Sequence, residues 1–371
     1  MRFDWRGLAL GGMVAGQLTV ANAQSSVTLY GLIDEGVDSI NTGSQSLKRL
    51  ISGGSLGSRL GFRGAEDLGD GLSAVFRLEM GILADDGTIA QGGRGFGRES
   101  SVGLSDRKLG TLTVGRLPMP YYSVQSNVDA FQWGSSGGML AITRNTAQGV
   151  RQVLGLAVSA RTDNAMNYVT PNWGGFEGRV QIATGEGSPT VGKTFGLSGR
   201  YTSGPVDMVL GYHRLNGGGN EKGQVEGFVV GGSYDTGPAK VFFGATEEKN
   251  SCATCTAFLR TPGSTTTEFR LINLGVRVPI GPFVAIGQVV RVNDRSKYTN
   301  PTGDRDATWI SVGGEYYLSK RTLIYGSLAS ISNSAGSQYV LGSGTAQQPA
   351  TLTGSSDHRS RTITLGIRHS F

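Results

Sequence analysis

A closed antiparallel transmembrane β-barrel of about 16 strands is the fold class this sequence predicts. Three observations carry that expectation. Short runs with period-two alternation recur along the chain, from 26–38 to 360–371. The connections between them alternate between tight turns and long loops. After an N-terminal export signal, no apolar run of helix-spanning length remains.

Period two is the signature of a strand with two unlike faces. In 72–80, Leu72, Ala74, Phe76, Leu78 and Met80 share one face, and Ser73, Val75, Arg77 and Glu79 the other. In the last run Ile363, Leu365, Ile367 and Phe371 lie opposite Thr362, Thr364, Arg368 and Ser370. Runs of about 8–12 residues suit a tilted strand that crosses a bilayer. A polar face carrying Arg, Glu, Thr and Ser suits a water-filled lumen, whereas a sandwich would fill its inner face with aliphatic side chains.

The short connections, such as 66–71, 106–110, 203–205 and 279–282, are rich in Gly, Pro, Asp and Ser, as tight turns require. The long ones are 39–56, 82–97, 118–162, 248–267 and 332–359. Short turns on one side and long loops on the other mark an outer-membrane barrel. Closure removes strand edges that hydrocarbon could not satisfy, and an even strand count lets the last strand pair with the first.

The N-terminus reads as a secretory signal over 1–23. Arg2 and Arg6 form its positive region, Gly7 to Val20 its apolar core, and Ala21-Asn22-Ala23 its cleavage site. The barrel domain is then 24–371. The chain has 60 glycines without a G-X-Y period, which excludes collagen and points to turns and close-packed strand positions. The formal charge is +6. Without Arg2, Arg6 and Asp4 the mature chain keeps 32 basic and 27 acidic residues, or +5. Export argues against nucleic acid as the partner of this charge; outer-membrane lipid, lipopolysaccharide and small anions fit better.

Cys252 and Cys255 are the two cysteines. A redox or zinc role fits poorly, because no second pair exists and His213, His358 and His369 are remote in sequence. A loop-stiffening disulfide formed in the periplasm is the expected reading. No metal, nucleotide or cofactor motif stands out. Three histidines without a G-x-S-x-G elbow argue against an enzyme.

Several stretches resemble Gram-negative general porins of the β-proteobacterial type. They are Ser26-Val27-Thr28-Leu29-Tyr30-Gly31-Leu32-Ile33-Asp34, Ser58-Arg59-Leu60-Gly61-Phe62-Arg63-Gly64, Gly110-Thr111-Leu112-Thr113-Val114-Gly115-Arg116 and the ending Gly366-Ile367-Arg368-His369-Ser370-Phe371. The resemblance implies a homotrimer of 16-stranded barrels in the outer membrane, each passing ions and small hydrophilic solutes. It implies a long third loop folded into the lumen, with basic residues on the wall opposite acidic ones on the loop. The gap 118–162 fits that loop in place and size. A substrate-specific channel would instead show a track of inward aromatics, and a structural or adhesive barrel would need no constriction.

Six residues are candidates for the constriction. Arg59 has lumen parity, since Leu60 and Phe62 define the lipid side, and it matches a family wall position. Arg77 shares lumen parity with Glu79. Arg98 matches a second wall position, although strict alternation groups it with Val102 and Leu104. Within 118–162, Arg144 is basic, with Arg151 and Arg161, and Asp129 is the one acidic residue there. The family's Pro-Glu pair is absent from this loop. Asp34 is the inward carboxylate of the first strand. A basic constriction and anion preference follow. Trp133, Trp173, Tyr201, Tyr212, Tyr234, Tyr316 and Tyr317 are candidates for interfacial girdles.

Overall fold

The computed structural model describes residues 26–146, 149–152, 160–186, 192–217, 223–251, 264–298, 303–343, 352 and 358–371. Sixteen antiparallel strands form one closed wall. They are β1 Ser26–Asn41, β2 in two pieces (Ser46–Ser52 and Arg59–Gly69), β3 Leu72–Leu83, β4 Glu99–Asp106, β5 Gly110–Pro118, β6 Arg161–Val169, β7 Phe176–Ala183 and β8 Thr194–Ser203. The second half comprises β9 Val206–Asn216, β10 Gln224–Asp235, β11 Lys240–Asn250, β12 Ser264–Ile280, β13 Phe283–Asp294, β14 Ala307–Tyr317, β15 Thr322–Asn333 and β16 Arg359–Ser370. Each strand pairs with its sequence neighbours. β16 closes the wall on β1, from Leu32↔Ser370 to Asn41↔Arg361.

The alternation read from sequence is the alternation of exposure. Val27, Leu29, Ile33, Val37, Val102, Leu104, Ile310, Val312, Ile363 and Leu365 face outward and are exposed. Such an apolar belt suits a lipid surround, since a closed barrel satisfies its backbone groups within itself. One loop expectation is corrected. The region 39–56 is no long loop: β1 runs on to Asn41 and turns back through 42–45 into β2. β2 is then interrupted at 53–58, where Asp34 captures the chain (described below).

The segment between β5 and β6 has its own structure. It contains helix α1 (Pro120–Gln125), two 3-10 turns (Ser126–Val128 and Met139–Ala141) and the strand pair Ile142–Thr146 with Gly149–Gln152. Ile142–Thr146 also pairs with Tyr339–Leu341 of the loop before β16.

Inward-facing residues of β9–β15 receive this segment. Val209, Val229, Leu271, Val290, Trp309 and Ile331 form one buried apolar cluster with Met119, Tyr121, Val124, Val128 and Met139. A line of inward glycines makes room for it. A Cβ on Gly244 would meet Val128 at 2.6 Å, and one on Gly275 would meet Ala130 at 2.6 Å. Gly196, Gly211 and Gly313 stand likewise against Met119, Val124 and Phe131. These five glycines serve close approach of a loop to the wall.

Cys252 and Cys255 lie outside the described residues, so the expected loop disulfide is not tested.

Candidate pore constriction

Three arginines converge on one stretch of bare wall. Arg59 opens the second piece of β2 and points inward, because its partner Leu32 does. Arg98 precedes β4, so strand alternation does not govern it. Its N–H donates to the carbonyl of Glu79 at 3.1 Å and its side chain turns inward onto the Glu79 carboxylate, Nε–Oε1 2.5 Å. This resolves the awkward parity of Arg98. Arg161 begins β6 and reaches the same place: its Nε donates to the Arg98 carbonyl at 2.8 Å and its guanidinium lies 5.6 Å from the Tyr122 ring centre.

Glu79 on β3 organises the cluster. Its Oε1 holds Arg98 and stands 4.0 Å from Arg59 Nη1, and its Oε2 accepts from the Tyr30 hydroxyl at 2.9 Å. Arg59 Nε donates to the Gly57 carbonyl at 2.9 Å, which fixes its direction. Three guanidinium groups against one carboxylate leave two unit charges uncompensated within the cluster. A cavity of about 380 Å³ adjoins it, lined by Arg98, Arg161, Tyr122, Ser52 and Gln91 among others.

The turn side of the lumen is also basic. Arg63 lies 5.3 Å from the Tyr30 ring centre, and Arg77 pairs with Glu99 at 3.3 Å. Arg77 therefore stands apart from the Glu79 cluster, nearer the short turns. Together with Arg179 these residues line a cavity of about 500 Å³.

Both carboxylate candidates are corrected. Asp34 is fully buried: it accepts from the Tyr325 hydroxyl at 2.6 Å, from Leu56 N at 2.8 Å and from Ser55 N at 3.2 Å. It clamps the interruption of β2 to β15. Asp129 is also fully buried. Its carboxylate accepts from the backbone N–H of Phe131 (3.0 Å), Trp133 (2.9 Å) and Met139 (2.7 Å) and from the Gln288 amide (3.0 Å). Burial pushes its carboxyl above the ordinary range, with these donors pulling the other way. It organises the loop from within.

Arg144 lies in the strand Ile142–Thr146, but its side chain is outside the described residues. Arg116 at the end of β5 pairs with Asp163, which also holds Arg94 at 2.8 Å. Arg161 was not among the constriction candidates; its place at the end of a long gap gave no parity to read.

The segment bearing Tyr122 is fastened across the far wall. Tyr121 donates to Glu248 at 2.6 Å and stacks on His213 at 4.5 Å. Asn273 Nδ2 donates to the Val128 carbonyl at 2.5 Å and Arg277 Nη1 to the Ala130 carbonyl at 2.9 Å, while Ser135 N ties the segment back to the interruption of β2 at the Gly54 carbonyl, 2.6 Å. Trp133 is buried here against Tyr122, ring centres 4.3 Å apart, which removes it from the girdle candidates. Tyr201, Tyr234 and Tyr316 do face outward and are exposed, as does the partly exposed Tyr212.

The profile of the family described as Gram-negative porin matches residues 9–336. Outer membrane porin protein 32 of Delftia acidovorans is 32% identical over 362 residues, 95% of each chain. An outer membrane porin protein of Bordetella pertussis is 35% identical over 265 residues, which span 60% of this chain and 64% of that one. Among solved structures, the anion-selective porin from Comamonas acidovorans superposes with a TM-score of 0.77 at 28% identity, over 94% of this chain and 100% of that one. OmpT of Vibrio cholerae, at 16% identity and a TM-score of 0.64, shares the fold over 94% of this chain and 98% of its own. With sixteen strands closed on themselves and a profile match over most of its length, the chain belongs to the family of Gram-negative porins.

Proposed function

We propose that this outer-membrane diffusion channel prefers anions, and that its constriction lies between the Arg59–Arg98–Arg161 wall and the loop segment that carries Tyr122. The carrying observation is the imbalance of three guanidinium groups over Glu79, while the one carboxylate of the described loop, Asp129, is buried. Two unit charges at about 8 Å change an ion's energy by about 1 kcal/mol in water, roughly halved by 0.1 M salt. The sign differs for anions and cations, so the preference is about fivefold. The related porin from Comamonas acidovorans is anion-selective, which supports the same reading.

Export through a signal cleaved after Ala23 and a non-catalytic role belong to this proposal. So does a homotrimer. The outward tyrosines Tyr168, Tyr201, Tyr212, Tyr234 and Tyr316 lie between β6 and β14. The described outward faces of β15, β16 and β1–β5 carry none, although Val27, Leu29, Val102, Leu104, Ile363 and Leu365 leave them exposed and apolar. Outward tyrosine favours the lipid interface, so the sector that carries Phe62, Phe76 and Phe371 but no outward tyrosine suits protein neighbours. The test is a planar-bilayer recording in a salt gradient. A reversal potential with the sign of anion preference, in conductance steps grouped by three, is expected; cation preference overturns the charge assignment.

A further inference from the structure

We propose that the cavity beside Arg98 and Arg161 is a binding site for a small aromatic carboxylate, a molecule with one charged end and one flat apolar end. This rests on the constriction proposed above and adds a ligand class to it.

A loop folded inward makes the cavity. Gly81 of β3 lies across from Arg59 and shares its inward direction, and a Cβ there would overlap the Gln91 side chain. Gln91 takes a φ of 53°, followed by Gly92 at 72° and Gly93 at 79°. This left-handed turn lays the chain that follows β3 over the inner face of the wall. Tyr122, Leu140 and Ala160, from the segment between β5 and β6, bound the same space. Its volume is about 380 Å³, toward the lower end of the roughly 300–1,000 Å³ of small-molecule sites.

The lining has two chemistries. Leu83, Leu140, Ala160 and Tyr122 are its apolar part, and Arg98 and Arg161 its basic part. Both guanidinium groups are anchored through Nε, one on the Glu79 carboxylate and the other on the Arg98 carbonyl. Among the described residues their terminal nitrogens donate to nothing, and Arg161 has no ion pair. An arginine held at Nε keeps its outer edge for a carboxylate, where charge-assisted paired bonds are strongest. A ring set against Tyr122 gains stacking and loses water from an apolar face.

The turn-side cavity differs on both counts. Ser101, Thr111 and Thr113 line it, and its Arg77 and Arg179 are paired with Glu99 and Glu177. That lining suits hydrated ions, whereas the loop-side cavity offers unpaired guanidinium edges beside apolar surface.

The test records the full barrel in a planar bilayer in potassium chloride, with benzoate, acetate and benzyl alcohol as probes. Benzoate is expected to block chloride current saturably, at about tenfold lower concentration than acetate, and benzyl alcohol to leave it unchanged. Tyr122→Ala is expected to raise the benzoate concentration for half block about fivefold and leave that for acetate unchanged. Arg161→Lys keeps the charge and the reversal potential but loses the planar fork, and half block by benzoate should again rise about fivefold. Equal block by benzoate and acetate in an anion-preferring barrel overturns this inference alone. So does benzoate block that both variants leave as in the parent chain, since binding then lies elsewhere. Cation preference in the same recordings overturns the constriction reading, and benzoate block that Tyr122→Ala weakens would still uphold the pocket.

Discussion

The two halves of the inner wall solve different problems. From β2 to β8 the inward positions carry Arg59, Arg63, Arg77, Arg179 and Arg200, on strands that line open cavities. From β9 to β15 the inward positions include Val209, Val229, Leu271, Val290, Trp309 and Ile331, closed over by a loop. One wall keeps its charges in contact with water; the other is the floor of an apolar core. Selectivity can therefore be changed on the first wall with little effect on packing, and the second holds the loop at a fixed distance from it.

Reversing charge on the bare wall gives the largest expected effect on function. Arg98→Glu with Arg161→Glu turns the cluster from two excess positive charges to two excess negative ones. The preference should invert to about fivefold for cations, read as a reversal potential of opposite sign. A normal heat-modifiable barrel on gels would show that the wall itself is intact.

Asp129→Ala attacks the covered wall. It strips the acceptor from three buried backbone N–H groups and the Gln288 amide. At about 1–3 kcal/mol for each buried unsatisfied donor, the loop should detach while the strands persist. The expected signature is a larger, noisier conductance and new protease cleavage within 119–141. Gly244→Val should act in the same direction more weakly, by about 1–3 kcal/mol, because a Cβ there overlaps Val128. If both variants conduct like the parent, the loop is not what narrows the pore.

The smallest effect is expected at Arg77. Its pair with Glu99 is half exposed, at 45% on the arginine side, and such pairs contribute about 0–1 kcal/mol. Arg77→Ala should leave thermal stability nearly unchanged and reduce anion preference by less than about twofold. A shift as large as that from Arg98 and Arg161 would move the selective step to the turn side.

Strand positions were legible because a wall with water on one side and lipid on the other imposes period two on every segment. Arg59 was legible for the same reason, with Leu60 and Phe62 fixing its parity. Arg98 was readable only through resemblance, since it sits just ahead of its strand, where alternation has no force. Asp34 and Asp129 misled because a carboxylate that organises backbone looks, in sequence, like one that faces a solute. The apolar inward residues of β9–β15 blur the polar-inside rule, and only the loop folded over them explains why. The glycines opposite Met119, Val124, Val128, Ala130 and Phe131 hold that information, but they are scattered over five strands and form a track only once the register is known.

The seam between β16 and β1 joins the segments farthest apart in sequence. Gly31 N donates to the Phe371 carbonyl at 3.1 Å and Phe371 N returns to the Gly31 carbonyl at 3.0 Å. A Cβ on Gly31 would meet the terminal ring at 2.5 Å. These partners are 340 residues apart in sequence. Closing a loop over such a span costs more chain entropy than closing the hairpins between sequence neighbours, so the β16–β1 seam is expected to pair after them.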